Sequence, residues 1–299
     1  MGTGIVSVGL SLDGRETLSR ILLVITAIAW VILGLLLAAR VSRDPARAHE
    51  EARSPAGLTG VAGTEVLGTG VTLLGWTWVG IALLIIGLVL WLALLWPVLA
   101  NWVVPTFGGS FVLAVATESL AVLSATVAAA QHAQWLAIAA LVPFVLGLAF
   151  YVFVIRRFDF RQLLVGHGDH WITGGALAIS TLAIARITLA ADSLHTLTGA
   201  VGTLEELTVV LWVLSIAWIP VLVIAEVARP RPGYDVRRWA TVFPIGMYAA
   251  CSGLGGSAAH AAAMTDFARV LVWIALAVWL VVFVAMLRHG VQLVRGDRR

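Results

Sequence analysis

The sequence predicts an all-α integral membrane protein, with ten transmembrane helices arranged as five helical hairpins in one domain, residues 1–299. Three observations predict it. The chain is 61% hydrophobic and only 12% charged, with a mean hydropathy of +1.00, more apolar surface than a soluble domain of 299 residues can bury. Its arginines cluster in alternate loops, and its glycines fall almost entirely in alternate apolar segments.

Roughly 30 Å of hydrocarbon at 1.5 Å per residue asks for about 20 apolar residues per crossing, and lipid leaves the helix as the way to satisfy the backbone in such a stretch. The segments fall at 1–12, 21–39, 57–75, 76–100, 107–130, 135–155, 170–191, 206–228, 239–260 and 267–287. The first, "MGTGIVSVGLSL", offers twelve residues before Asp13, about half a crossing; either translation starts upstream or this helix is truncated. It has neither the basic region nor the cleavage pattern of a signal peptide.

There are 19 arginines and no lysine. Fifteen lie after the second, sixth and eighth spans or in the C-terminal tail: Arg40, Arg43, Arg47, Arg53, Arg156, Arg157, Arg161, Arg229, Arg231, Arg237, Arg238, Arg288, Arg295, Arg298 and Arg299. The opposite loops hold three, Arg15, Arg20 and Arg269, while Arg186 lies inside the seventh span. That asymmetry fits an even number of spans with both termini in the cytoplasm, and it reads as membrane orientation rather than as a nucleic-acid surface.

The odd spans hold 17 glycines and the even spans four, Gly34, Gly80, Gly87 and Gly147. Bulky even helices such as "WVGIALLIIGLVLWLALLW" can face lipid, whereas small-residue helices let neighbours approach or leave room beside them. An inner set of odd helices and an outer set of even ones follows. A tight glycine seam with no hole would carry the same pattern.

Span nine opens "RRWATVFPIGMYAA" (237–250). Pro244 removes a backbone donor, so a kink is expected there. At 100° per residue Ala240, Phe243, Met247 and Ala250 share a face, with room around the Phe243 ring. A buried core phenylalanine beside an ordinary membrane proline is the competing reading. Ionisable groups in hydrocarbon are functional candidates by default, and the odd spans contain Glu65, Glu118 and Arg186. Glu118 shares a face with Ala114, Ala121 and Ala125; Glu65 sits among Gly63, Thr64 and Gly68. Arg186 supplies the positive potential an anion path needs, while two glutamates in that path repel anions unless protonated or paired. A Glu–Arg186 bridge gluing inner helices is the structural alternative to proton coupling.

Other features are weaker. "GHGDHW" (166–171) puts His167, Asp169 and His170 in one loop, too few rigid ligands for a metal site. A single Cys251 allows no internal disulfide. No buried pair of facing histidines suits haem, no Walker loop suits ATP, and no convergent catalytic set suits an enzyme. Trp76, Trp96, Trp102, Trp171 and Trp239 read as interfacial anchors, Glu226 as a snorkelling residue, and 40–57 as an amphipathic connector on the surface.

Four stretches together resemble the tellurite-resistance/dicarboxylate transporter family, which includes plant guard-cell slow anion channels, yeast malate permeases and fungal sulfite pumps. "MGTGIVSVGLSL" is similar to the second half of its first helix, "GGSFVLAVATESLAVLSA" (108–125) to its fifth, "HWITGGALAISTLAIA" (170–185) to its seventh and "RRWATVFPIGMYAA" to its ninth. The Trp-Ala-x-x-Phe-Pro-x-Gly pattern is the most specific part. The resemblance implies ten helices, five of them around a central pore in each subunit of a homotrimer, with Phe243 as the plug.

From residues and resemblance together the expected function is transport of small anions across the plasma membrane: a C4-dicarboxylate such as malate, an oxyanion such as tellurite or sulfite, or halide or nitrate. Phe243 and Pro244 form the gate; Glu65, Glu118, Arg186, Ala240, Gly246 and Met247 are pore-lining or coupling candidates. The partners are the anion, the bilayer and two further copies of the chain; no cofactor, metal or nucleic acid is expected. A proton-coupled carrier built on the glutamates, and a closed structural or sensor bundle, are the alternatives.

Overall fold

The computed structural model describes residues 1–165, 168–231 and 233–296. Helices α1 (Gly2–Leu12), α2 (Glu16–Arg43), α3 (Pro45–Ala52), α4 (Thr59–Leu73), α5 (Thr77–Ala100), α6 (Val112–Gln131) and α7 (Gln134–Ala139) come first. They are followed by α8 (Leu141–Ile155), α9 (Gln162–Val165), α10 (Trp171–Ser193), α11 (Val201–Ile216), α12 (Trp218–Ala228), α13 (Trp239–Ala258) and α14 (Ala262–Val294). Among the described residues there is no β-strand, only an isolated bridge between Thr106 and Phe158.

Among the described residues seven helical stretches are long and apolar enough to cross a membrane: Glu16–Arg43, Thr77–Ala100, Gly108–Gln131, Gln134–Ile155, Trp171–Ser193, Val201–Ala228 and Ala262–Leu293. Three expected spans fall outside that set for different reasons. α1 has 11 residues and α4 has 15, while α13 has 20 but dilutes its hydropathy with glycine and serine. Two crossings are interrupted, α7–α8 at Ala140 and α11–α12 at Ala217. Each break lies three residues before a proline, Pro143 or Pro220, whose missing N–H deletes a helical hydrogen bond.

The packing separates two layers. α1, α4, α6, α10 and α13 contact one another in a closed cycle, in that order and back to α1. Outside it, α2 covers the seam between α1 and α4, α5 that between α4 and α6, and α8 that between α6 and α10. α11 covers α10 and α13, and α14 closes the circuit over α13 and α1. α6 is buried along nearly its whole length while α2 and α5 bury few of their residues, so the outer layer presents its bulky side chains outward. Exposed leucines, valines and isoleucines in that quantity have no place in water and match lipid.

Glycines sit where inner helices touch. A Cβ on Gly246 would meet Ile5 Cγ2 of α1 at 2.7 Å, one on Gly175 would meet Pro244 at 2.9 Å, and one on Gly4 would meet Val66 at 2.8 Å. At these three positions glycine serves the close approach of helices. α13 runs as one helix through Pro244. Only five helical residues precede this proline, and the space left by Gly175 takes its ring.

A cavity between five helices

On the axis of the inner ring lies a cavity of about 10 Å³, room for about one water molecule. Every inner helix contributes to it: Ile5 and Val8 from α1, Glu65, Val66 and Thr69 from α4, Ser119 and Val122 from α6, Ile179 and Leu182 from α10, and Met247 from α13. The wall is made of branched and flexible apolar side chains with three polar ones among them. The expectation that small residues line the axis is corrected: glycines hold the helices together and larger side chains fill the middle.

Phe243 is 3% exposed and lies one turn before Met247 on the same face of α13. Met247 borders the cavity, and Phe243 is not itself among the residues that line it. Ala240, one further turn back, is half-exposed at the start of α13. Gly246 faces α1, so it belongs to a helix seam and not to the cavity wall.

The two buried glutamates part company. Glu65 borders the cavity, its carboxylate runs against Gly87 of α5, and neither of its oxygens has a hydrogen-bond partner among the described residues. Glu118 does not border the cavity; the open space expected on its alanine face is absent. Its side chain lies against Gly147 of α8, and the Ser180 hydroxyl on α10 reaches its two oxygens at 2.7 Å and 2.9 Å. One hydroxyl proton serves one acceptor at a time, so the two oxygens share it.

Arg186 forms no ion pair with either glutamate among the described residues, so the expected bridge is not made, and its Nε is buried without a partner. It follows Leu182 by four residues and Ile179 by seven, which places it on the cavity-facing stripe of α10, on the far side of the cavity from Phe243.

The end of the bundle nearest Phe243 carries an ionic cluster that sequence reasoning missed. Glu226 accepts from Arg231 at 2.7 Å, from Arg238 at 3.1 Å and from the Trp171 indole N–H at 3.1 Å. Arg231 also donates to the Thr241 hydroxyl at 2.9 Å. Trp171 is thus buried and Glu226 is a hub, in place of an interfacial anchor and a snorkelling residue. Partial burial, and then Arg231 beside it, lower the Arg238 pKa from its ordinary value, against the pull of Glu226. The arginine-rich 229–238 loop was the available signal, but its partners lie on three other elements. Of the loop triad, His167 lies outside the described residues; Asp169 and His170 lead into α10.

Residues 1–287 match the family model of SLAC1, the voltage-dependent anion channel. Two proteins from strains of Mycobacterium tuberculosis, each described as an uncharacterized membrane protein, are 37% identical to the chain over 125 residues, 40% of this chain and 63% of theirs. The chain thus spans less than two thirds of the length of the curated relatives it matches.

Proposed function

The chain belongs to the voltage-dependent anion channel family, and on that premise we propose that it passes small anions through the membrane along the axis of its five inner helices, with Phe243 and Met247 closing the path. The observation that carries this reading is the constriction to which all five helices contribute and whose volume is about 10 Å³. Apolar walls that close around one water molecule stop ions by leaving them no hydration shell. Movement of the Phe243 ring away from the axis widens the path, and Pro244 helps because its missing N–H leaves the helix one bond weaker at that turn. Arg186 gives the far side of the constriction the positive potential that admits anions and repels cations.

The same reading takes the inner and outer layers as ten crossings in five hairpins, with both termini in the cytoplasm of a plasma-membrane protein. The arginine asymmetry supports that orientation. The homotrimer follows from the family resemblance, as does the substrate class of C4-dicarboxylates, oxyanions such as tellurite or sulfite, and halides or nitrate. Fixed charge on the axis is sparse, which suits weak passage better than tight binding. The test is anion efflux from liposomes containing the purified protein: Phe243→Ala releases trapped nitrate faster than wild type, and an unchanged rate in a folded variant refutes the gate.

One observation favours a second reading, a proton-coupled carrier. Glu65 borders the axial cavity, and neither of its oxygens has a hydrogen-bond partner among the described residues. A carboxyl group so placed can exchange a proton with a passing anion, and Glu118, held by Ser180 off the axis, cannot do so without breaking that contact.

A further inference from the structure

A second cavity, of about 440 Å³, opens away from the axis, where the turn after α3 meets the loop between α5 and α6. We propose that it binds the zwitterionic head group of an aminophospholipid, with the phosphate at Arg53 and Trp102 and the ammonium at Glu50. The size lies within the range of pockets that hold small ligands. It does not depend on whether the axis conducts.

The wall has one charge of each sign. Glu51, next in sequence, already takes Arg40 at 2.7 Å and Arg47 at 3.6 Å. Glu50 and Arg53 border the cavity and neither makes an ion pair or a side-chain hydrogen bond among the described residues. A simple anion placed here would meet Glu50, and a simple cation would meet Arg53. A ligand with a phosphate and an ammonium a few bonds apart answers both.

Two further donors belong to residues that line the cavity. The Trp102 indole N–H is buried and has no partner among the described residues, an arrangement that costs free energy unless something accepts from it. Its ring packs against Phe153 at a centroid distance of 5.3 Å. Ser110 accepts from the Phe107 N–H at 3.2 Å, which leaves its own hydroxyl proton to give. The rim explains why the head group belongs to a lipid. Val103 is 66% and Phe107 39% exposed, so the cavity is bordered by apolar side chains where a glycerol backbone and the first methylenes would lie. The neighbouring arginines of 40–53 put this cavity at the membrane surface, level with lipid head groups.

The chemistry ranks the lipids. Ethanolamine offers three N–H donors to Glu50, choline offers none, and glycerol carries no positive charge. The test is native mass spectrometry of the full chain purified in detergent with equal amounts of phosphatidylethanolamine, phosphatidylcholine and phosphatidylglycerol of matched acyl chains. Wild type retains phosphatidylethanolamine about tenfold over the other two, Arg53→Ala lowers that retention about tenfold, and Trp102→Phe, which keeps the ring against Phe153, lowers it about threefold. Glu50→Gln, an exposed change that leaves the fold alone, moves the preference toward phosphatidylglycerol. Equal retention by wild type and Arg53→Ala, or phosphatidylcholine held as well as phosphatidylethanolamine, overturns the proposal. Displacement of the bound lipid by soluble phosphoethanolamine at low millimolar concentration overturns the lipid as source.

Discussion

Glu65 and Glu118 occupy matching places in consecutive inner helices, and the difference between them separates the axis of the molecule from its wall. Both are buried, and each lies against a buried glycine of the outer helix behind it, Gly87 or Gly147. Glu118 is held by Ser180 and joins α6 to α10. Glu65 has no such partner and borders the central cavity. Burial alone therefore does not assign a role to a membrane carboxyl group; partner and direction do.

The comparison is sharpened most by adding a methyl group at each glycine. A Cβ on Gly147 meets Glu118 Cγ and comes within 3.3 Å of its backbone nitrogen, so α6 and α8 must separate. Gly147→Ala is expected to cost about 1–3 kcal/mol, read as a lower midpoint of thermal unfolding in detergent. A Cβ on Gly87 meets chiefly the end of the Glu65 side chain, which can rotate, and Gly87→Ala should cost only about 0.5–1 kcal/mol. Equal losses at the two sites would break the comparison.

Removing the hydroxyl that holds Glu118 comes next. Ser180→Ala strips the carboxyl group of its partner and is expected to cost about 1–2 kcal/mol without changing which ions pass. A change of ion preference would move Glu118 onto the path. Glu65→Gln is nearly isosteric and makes the smallest difference to stability, but under the carrier reading it abolishes the pH dependence of flux into liposomes while Glu118→Gln preserves it. Loss of pH dependence in Glu118→Gln alone would reverse the assignment.

The layers were legible in the sequence because lipid demands bulky apolar side chains outside and helix contact demands small ones inside, a difference visible residue by residue. What the glycines do was not. Gly246 read as lining, and it turns out to be a point where two helices meet, because the sequence records size but not direction. The even spans contained the missing clue: Gly80, Gly87 and Gly147 each back a buried polar side chain, Thr72, Glu65 and Glu118. The cluster of Glu226, Arg231 and Arg238 with Trp171 was illegible for another reason. Its members come from α12, a loop and the start of α10, and only the closed ring brings those together.

The central claim is that the axis is a path for anions closed by Phe243. The most direct measurement is the current across a planar bilayer holding purified Phe243→Ala beside wild type, under a gradient of potassium nitrate. The account predicts a steady current in the alanine variant that reverses at the nitrate equilibrium potential and is small in wild type. Silence from a variant shown to be folded, or a current that reverses at the cation potential, would contradict it.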